Sequence, residues 1–167
     1  MKCYAGIGSR ESPKDILAIM TRVASKLAKA GYTLRSGGAG GADNAFEAGV
    51  QLDINKQIFL PWQGFNGRNS HFSKPTEAAY VMAASFHPAW DRCSRGAQAL
   101  HARNCHQVLG YDLLSPVEFV MCWTRDGKDT GGTGQAMRIA MANDIRIWNL
   151  QIPEHLELTT NWMEGKS

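Results

Sequence analysis

A chain of 167 residues with 44% hydrophobic side chains has enough apolar material for one packed core and too much for a disordered polymer. Its net charge of +3 permits a polyanionic partner but lacks the dense basic stripe that argues for one. No apolar run approaches the ~20 residues that cross a bilayer, and "MKCYAGIGSR" lacks the apolar stretch and cleavage site of a signal peptide, so a cytoplasmic protein is expected.

Lys2 to Ile7 reads as a short buried strand ending in glycine. The apolar residues Ile16, Leu17, Met20, Val23, Ala24 and Leu27 recur at three- and four-residue steps and predict an amphipathic helix over 13–30. Ser12 before Pro13, with Asp15 in the first turn, supplies its start, and Gly31 its stop. Tyr32 to Arg35 reads as a second strand, 43–50 as a second helix, and Gln57 to Leu60 as a third strand closed by Pro61. A polar excursion, "PWQGFNGRNSHFSKP", leads into helical stretches at 75–86 and 95–108, which together make an insertion at about 62–110. "PVEFVMCW" (116–123) is the strongest strand in the chain. The glycine turn "DTGGTG" precedes a helix over 135–143 and a last strand over 145–148, and the tail after Pro153 carries no signal.

Strands alternating with helices predict a single α/β domain over 1–167. The expected form is a three-layer, Rossmann-like, five-stranded and mainly parallel sheet of order 3-2-1-4-5, with helices on both faces. Ligands of such sheets bind at the C-terminal strand ends, near the point where strand order reverses. Three glycine-rich turns converge there. The first offers Gly8, Ser9 and Arg10. The second offers Ser36, Gly37, Gly38, Gly40 and Gly41. The third offers Gly131, Gly132, Thr133, Gly134 and Gln135. Each precedes a helix N-terminus, whose unpaired N–H groups and positive dipole end attract phosphate. Glycine lets the backbone approach such a ligand closely. A nucleotide or nucleotide-derived ligand is the expected partner. A dinucleotide cofactor is not, because "GIGSRE" lacks the third glycine and Arg35-Ser36 stand where an acidic residue ends strand two.

"YAGIGSR", "SGGAGGADNAFEAG" and "TGGTGQAMRIA", in this order, resemble the SMF/DprA/LOG superfamily of Rossmann-like nucleotide-binding proteins. The resemblance spans Cys3 to Trp148. Its middle element is similar to the motif of DNA-processing protein A, and its last stands where Lonely Guy phosphoribohydrolases carry Pro-Gly-Gly-x-Gly-Thr. The short single-domain form resembles stand-alone proteins often encoded by phages. The resemblance implies hydrolysis of the N-glycosidic bond of a nucleotide. Its alternatives are single-stranded DNA binding and a non-catalytic nucleotide sensor or sponge. Related hydrolases pair, which implies a homo-oligomer. The hydrolases' helix glutamate is absent here, where Gln135, Ala136, Met137 and Arg138 follow the turn. Asp43, in the first turn after the second glycine run, is the first candidate to supply the carboxylate, and Glu47, one helical turn on, the second.

In the insertion, Trp62 and Trp90 are candidates for a base pocket. His101, Arg103 and Asn104 share one helical patch that can reach a ligand. Of the four cysteines, Cys3 and Cys122 lie in strand-like runs where buried reduced thiols are expected. Cys93, His101, Cys105 and His106 make a zinc set on paper, but their spacings fit no standard pattern. Neither a metal nor a cofactor is expected.

Overall fold

Side chains of a strand alternate between faces, so a sheet buried on both sides has two cores. The computed structural model, which describes residues 1–166, has this arrangement. In β1 (Lys2–Gly6), Tyr4 enters one core while Cys3 and Ala5 enter the other. In β4 (Phe119–Cys122), Met121 sides with Tyr4, and Val120 and Cys122 with Cys3. β2 (Tyr32–Ser36), β3 (Lys56–Ile58) and β5 (Arg146–Asn149) complete the sheet among the described residues. Every pairing is parallel, and the order is β3-β2-β1-β4-β5. Tyr4 lies in register with Leu34 on one side and Phe119 on the other, and its ring stacks on that of Phe119 at 5.4 Å.

One core is closed by α1 (Lys14–Lys29), α2 (Ala42–Ala48) and α6 (Pro153–Met163). The other is closed by α3 (Glu77–Phe86), α4 (Arg95–Leu109) and α5 (Gly131–Ala142). The expected insertion therefore carries two of the three helices that cover one face. Ala79, Ala83, Ala102, Cys105 and Val108 are buried there, and their small volumes let α3 and α4 approach closely. Cys3, Cys105 and Cys122 are buried free thiols.

Several local expectations change. Ser12 does not cap α1, because its hydroxyl donates to Ser9 O at 2.8 Å inside the preceding turn. The third glycine run is not a loop before a helix: Gly131 to Gly134 form the first turn of α5. The chain after Pro153 forms α6, started by Pro153 at its first position. Among the described residues no helix is long and apolar enough to cross a membrane.

Candidate functional site

The turns after β1, β2 and β4 meet at the C-terminal edge of the sheet and border a cleft of about 830 Å³. Its far wall is α4 with the α3–α4 corner. From the first turn come Gly8, Ser9 and Arg10; from the second, Ala39 and Asp43; from the third, Thr130, Gly131, Gly132 and Thr133. His101, Arg103 and Asn104 all face the cleft, as their shared helical patch suggests.

Gly37, Gly38, Gly40 and Gly41 of the second turn do not border the cleft. Gly37 sits against α4: a Cβ there would lie 2.2 Å from Arg103 Nη1 and 2.5 Å from Gln107 Nε2. Gly41 has φ +72°, and its Cβ would meet the Arg10 backbone at 2.6 Å, so the first two turns can nest only around a glycine. Gly38 also has positive φ, while Gly40 has open space. Ser36 is buried and donates to Gly6 O at 2.6 Å, tying β2 to β1.

Asp43 is buried, yet borders the cleft. Its Oδ2 accepts from Ala39 N at 3.2 Å. Burial pushes its carboxyl up to about 6, against the pull of the Arg103 charge and the Ala39 N–H. Arg103 is itself buried, and its Nη1 donates to Gly37 O and to Phe59 O, the latter at 3.2 Å. That guanidinium therefore pins the chain just beyond β2 and β3, and its charge acts on Asp43, which borders the same cleft.

Glu47 is placed differently. Its Oε2 accepts from Arg68 and lies 3.4 Å from Lys56 Nζ, and it does not border the cleft. The two carboxylates are one turn apart in sequence, but α2 directs Asp43 inward and Glu47 toward the β3 side. Gln135 is likewise a strut. It is fully buried, donates to Ala83 O at 2.9 Å and accepts from Arg138 Nη2 at 3.0 Å, joining α5 to α3. Gly134 packs against Asp129 O behind the cleft.

Neither tryptophan lines the cleft. Trp62 is 43% exposed and packs edge-on to Phe65 at 5.2 Å. Trp90 joins the core beside α3 and borders a separate shallow surface with Tyr80 and Gln98. The aromatic groups at the cleft are instead His87 and His101, whose ring centroids lie 4.4 Å apart. Burial, with the neighbouring His87, Arg138 and Arg103 charges, pushes His101 down to about 4, so it is a neutral imidazole near pH 7.

Charge in the cleft is predominantly positive. Arg10, Arg103, Arg125 and Arg138 stand against Asp43 and Glu11. Glu11 is paired with Arg125 at the exposed rim. At α5, the Thr130 hydroxyl donates to Asp126 Oδ1 at 2.8 Å instead of capping the helix. The first N–H groups of α5 are thereby left facing the cleft, next to the exposed Gly131 and Gly132. Asn104 holds the same turn, donating to Gly132 O at 3.0 Å.

Sequence reading missed Gln107, Thr124, Arg125 and Arg138 as cleft residues. Gln107 was accessible to it: with Leu100, Arg103 and Asn104 it recurs at helical spacing, with a polar bias unusual for a packed face. Arg138 carried no such signal, because only the docking of α5 aims it.

Of the paper zinc set, Cys105 is buried against Ala79 O, and His106 Nε2 accepts from Thr76 N at 3.1 Å, so neither stands with Cys93. The cluster that forms is His87, Cys93 and His101. Set beside known proteins, the chain matches no family model, no curated protein and no solved structure.

Proposed function

We propose that the cleft binds a nucleotide or nucleotide-derived ligand and that Asp43 serves hydrolysis of its N-glycosidic bond. The observation that carries this reading is Asp43 itself: a buried carboxyl raised to about 6, at the wall of a cleft with four arginines. A purely structural ion pair has no need of a cleft, and a pure anion site has no need of a carboxylate. The reaction class comes from the motif resemblance; the residues come from the cleft.

The ligand phosphate sits at the N-terminus of α5, with Arg138 and Arg10 at hand. The sugar then lies between the glycine turns and α4, within range of Asp43. As the C1′–N bond breaks, its electron pair leaves with the base and positive charge develops at C1′. The ionised Asp43 stabilises that charge and takes the proton of the water that adds to C1′, while the departing base takes up a proton from solvent. The Arg103 charge works against burial, and with its carboxyl at about 6 Asp43 is mostly ionised at neutral pH.

The test is incubation of the protein with ribo- and deoxyribonucleoside monophosphates, NAD and cyclic ADP-ribose, read by chromatography for free base. Release of base from one substrate, lost in Asp43→Asn, is expected. Ligand-induced thermal shift without base release would replace hydrolysis by sensing or sequestration. Neither shift nor release, with salt-sensitive binding to single-stranded DNA, would overturn the nucleotide reading.

A further inference from the structure

His87, Cys93 and His101 are brought together by three successive elements. His87 caps the C-terminus of α3, Cys93 follows the short 3-10 helix Trp90–Arg92, and His101 lies in the second turn of α4. One ligating atom from each lies within 4.8 Å of the others. Cys93 Sγ is 3.7 Å from His87 Nε2 and 3.9 Å from Nδ1. A tetrahedral ion with sulfur at ~2.3 Å and nitrogen at ~2.0 Å sets those two atoms about 3.5 Å apart. The Cys93–His87 pair is close to that spacing, and His101 offers a ring nitrogen within 4.8 Å of both.

The hydrogen bonding of the cluster is incomplete in a way that suits an ion. His101 Nδ1 is buried and, among the described residues, has no hydrogen-bond partner. The Cys93 thiol makes only long contacts, the one to Ala89 O being 3.6 Å. A buried ring nitrogen with nothing to bond is unusual enough to need a cause, and an ion is one. Ala89 N donates to His87 Nδ1 at 3.0 Å. Coordination through either ring nitrogen exchanges that bond for a metal bond, by displacement at Nδ1 or by a tautomer change at Nε2.

We infer that the protein binds one zinc-like divalent ion through His87, Cys93 and His101, at the wall of the cleft. One thiolate and two imidazoles form a borderline-soft set that favours zinc over magnesium or calcium. Three protein ligands leave a fourth tetrahedral position. His87 and His101 both border the cleft, so that position is filled from the cleft side by water or by an anionic group of the bound molecule. Binding drives the Cys93 proton into solvent. The inference does not depend on hydrolysis at Asp43, and its test uses no substrate.

The full chain, freed of metal by a chelator, is titrated with cobalt(II) and read by absorption. Saturation at one equivalent is expected, with a thiolate-to-cobalt charge-transfer band in the near ultraviolet and the intense visible bands of four-coordinate cobalt. Zinc should bleach both. Cys93→Ser should abolish the charge-transfer band, His101→Gln should weaken binding by roughly tenfold or more, and Cys3→Ala should leave both bands in place. A chain without the charge-transfer band, or a band that survives Cys93→Ser, overturns the inference. Circular dichroism checks that each variant is folded. Should Cys93→Ser not fold, His87→Gln takes its place, and unchanged cobalt affinity in that variant overturns the site equally.

Discussion

Asp43 sets burial against the Arg103 charge, the Ala39 N–H and the Ser36 hydroxyl, and burial prevails. Two consequences follow at this residue. If the ionised carboxylate is the working form, kcat/KM rises about tenfold per pH unit below about 6 and levels off above it; a pH–rate profile reads this, and a flat profile through pH 6 would remove Asp43 from the chemistry. The second consequence concerns stability. Folded Asp43 keeps its proton up to about pH 6, whereas its ordinary value is 3.8. Between those values the folded chain binds more protons than the unfolded one, so stability falls as pH rises across that window. The full loss, about 3 kcal/mol, is in place above pH 6. Asp43→Asn keeps an acceptor for Ala39 N–H and removes the buried charge. Its Tm should exceed that of the parent by several degrees at pH 7 and match it near pH 4. An equal difference at both pH values would show that the cost is not ionisation.

At the scale of the element, the turn after β2 is a backbone device with unequal parts. Gly41 combines φ +72° with a backbone neighbour that cannot rotate away, since its Cβ would meet Arg10 Cα at 2.6 Å. Gly41→Ala should cost roughly 2 kcal/mol or more, read as a lowered urea midpoint. Gly40 has no neighbour within 4 Å of its Cβ position, so Gly40→Ala should stay within about 0.5 kcal/mol of the parent. Gly37→Ala collides with the ends of two side chains, Arg103 and Gln107. Side chains yield where backbone does not, so its cost should fall between the other two. Because the displaced Arg103 borders the cleft, Gly37→Ala should also weaken ligand binding, which Gly40→Ala should not. The opposite ordering, with Gly40→Ala the most damaging, would mean that the turn contacts its ligand through Gly40.

Across the whole molecule, one sheet carries both cores, so neither helical layer has a folded partner of its own. α3 and α4 fall in a stretch that reads as an insertion, yet they bury Ala83, Ala102 and Val108 against the face formed by Cys3, Ala5 and Val120. Unfolding should be one transition. Far-ultraviolet circular dichroism, which reports all the helices, and tryptophan fluorescence, which samples Trp90 on one side and Trp123 and Trp148 on the other, should share one midpoint in urea. Two separated transitions would make α3 and α4 an autonomous layer. The scale of the cleft also bears on what it binds. Its volume of about 830 Å³ suits one nucleotide-sized ligand, and the exposed Trp62 lies outside it.

The sequence by itself determined the sheet order, the parallel pairing and the meeting of three glycine turns at one edge. Those rest on local periodicity and on the few topologies that right-handed crossovers allow. It also singled out Asp43, because the position follows directly from the turn. Tertiary structure alone decided which polar groups face the cleft. Asp43 and Glu47 look equivalent in sequence, and only the ion pairs of Glu47 with Lys56 and Arg68 separate a cleft carboxyl from an ion-paired one. Gln135 lies in the motif but points at Ala83, because α5 begins four residues before the sequence suggests and its rotation is set by the core. His87, Cys93 and His101 have no recognisable spacing, since their meeting depends on the corner between α3 and α4. Direction and convergence of side chains are properties of packed elements, and no pattern along one element encodes them.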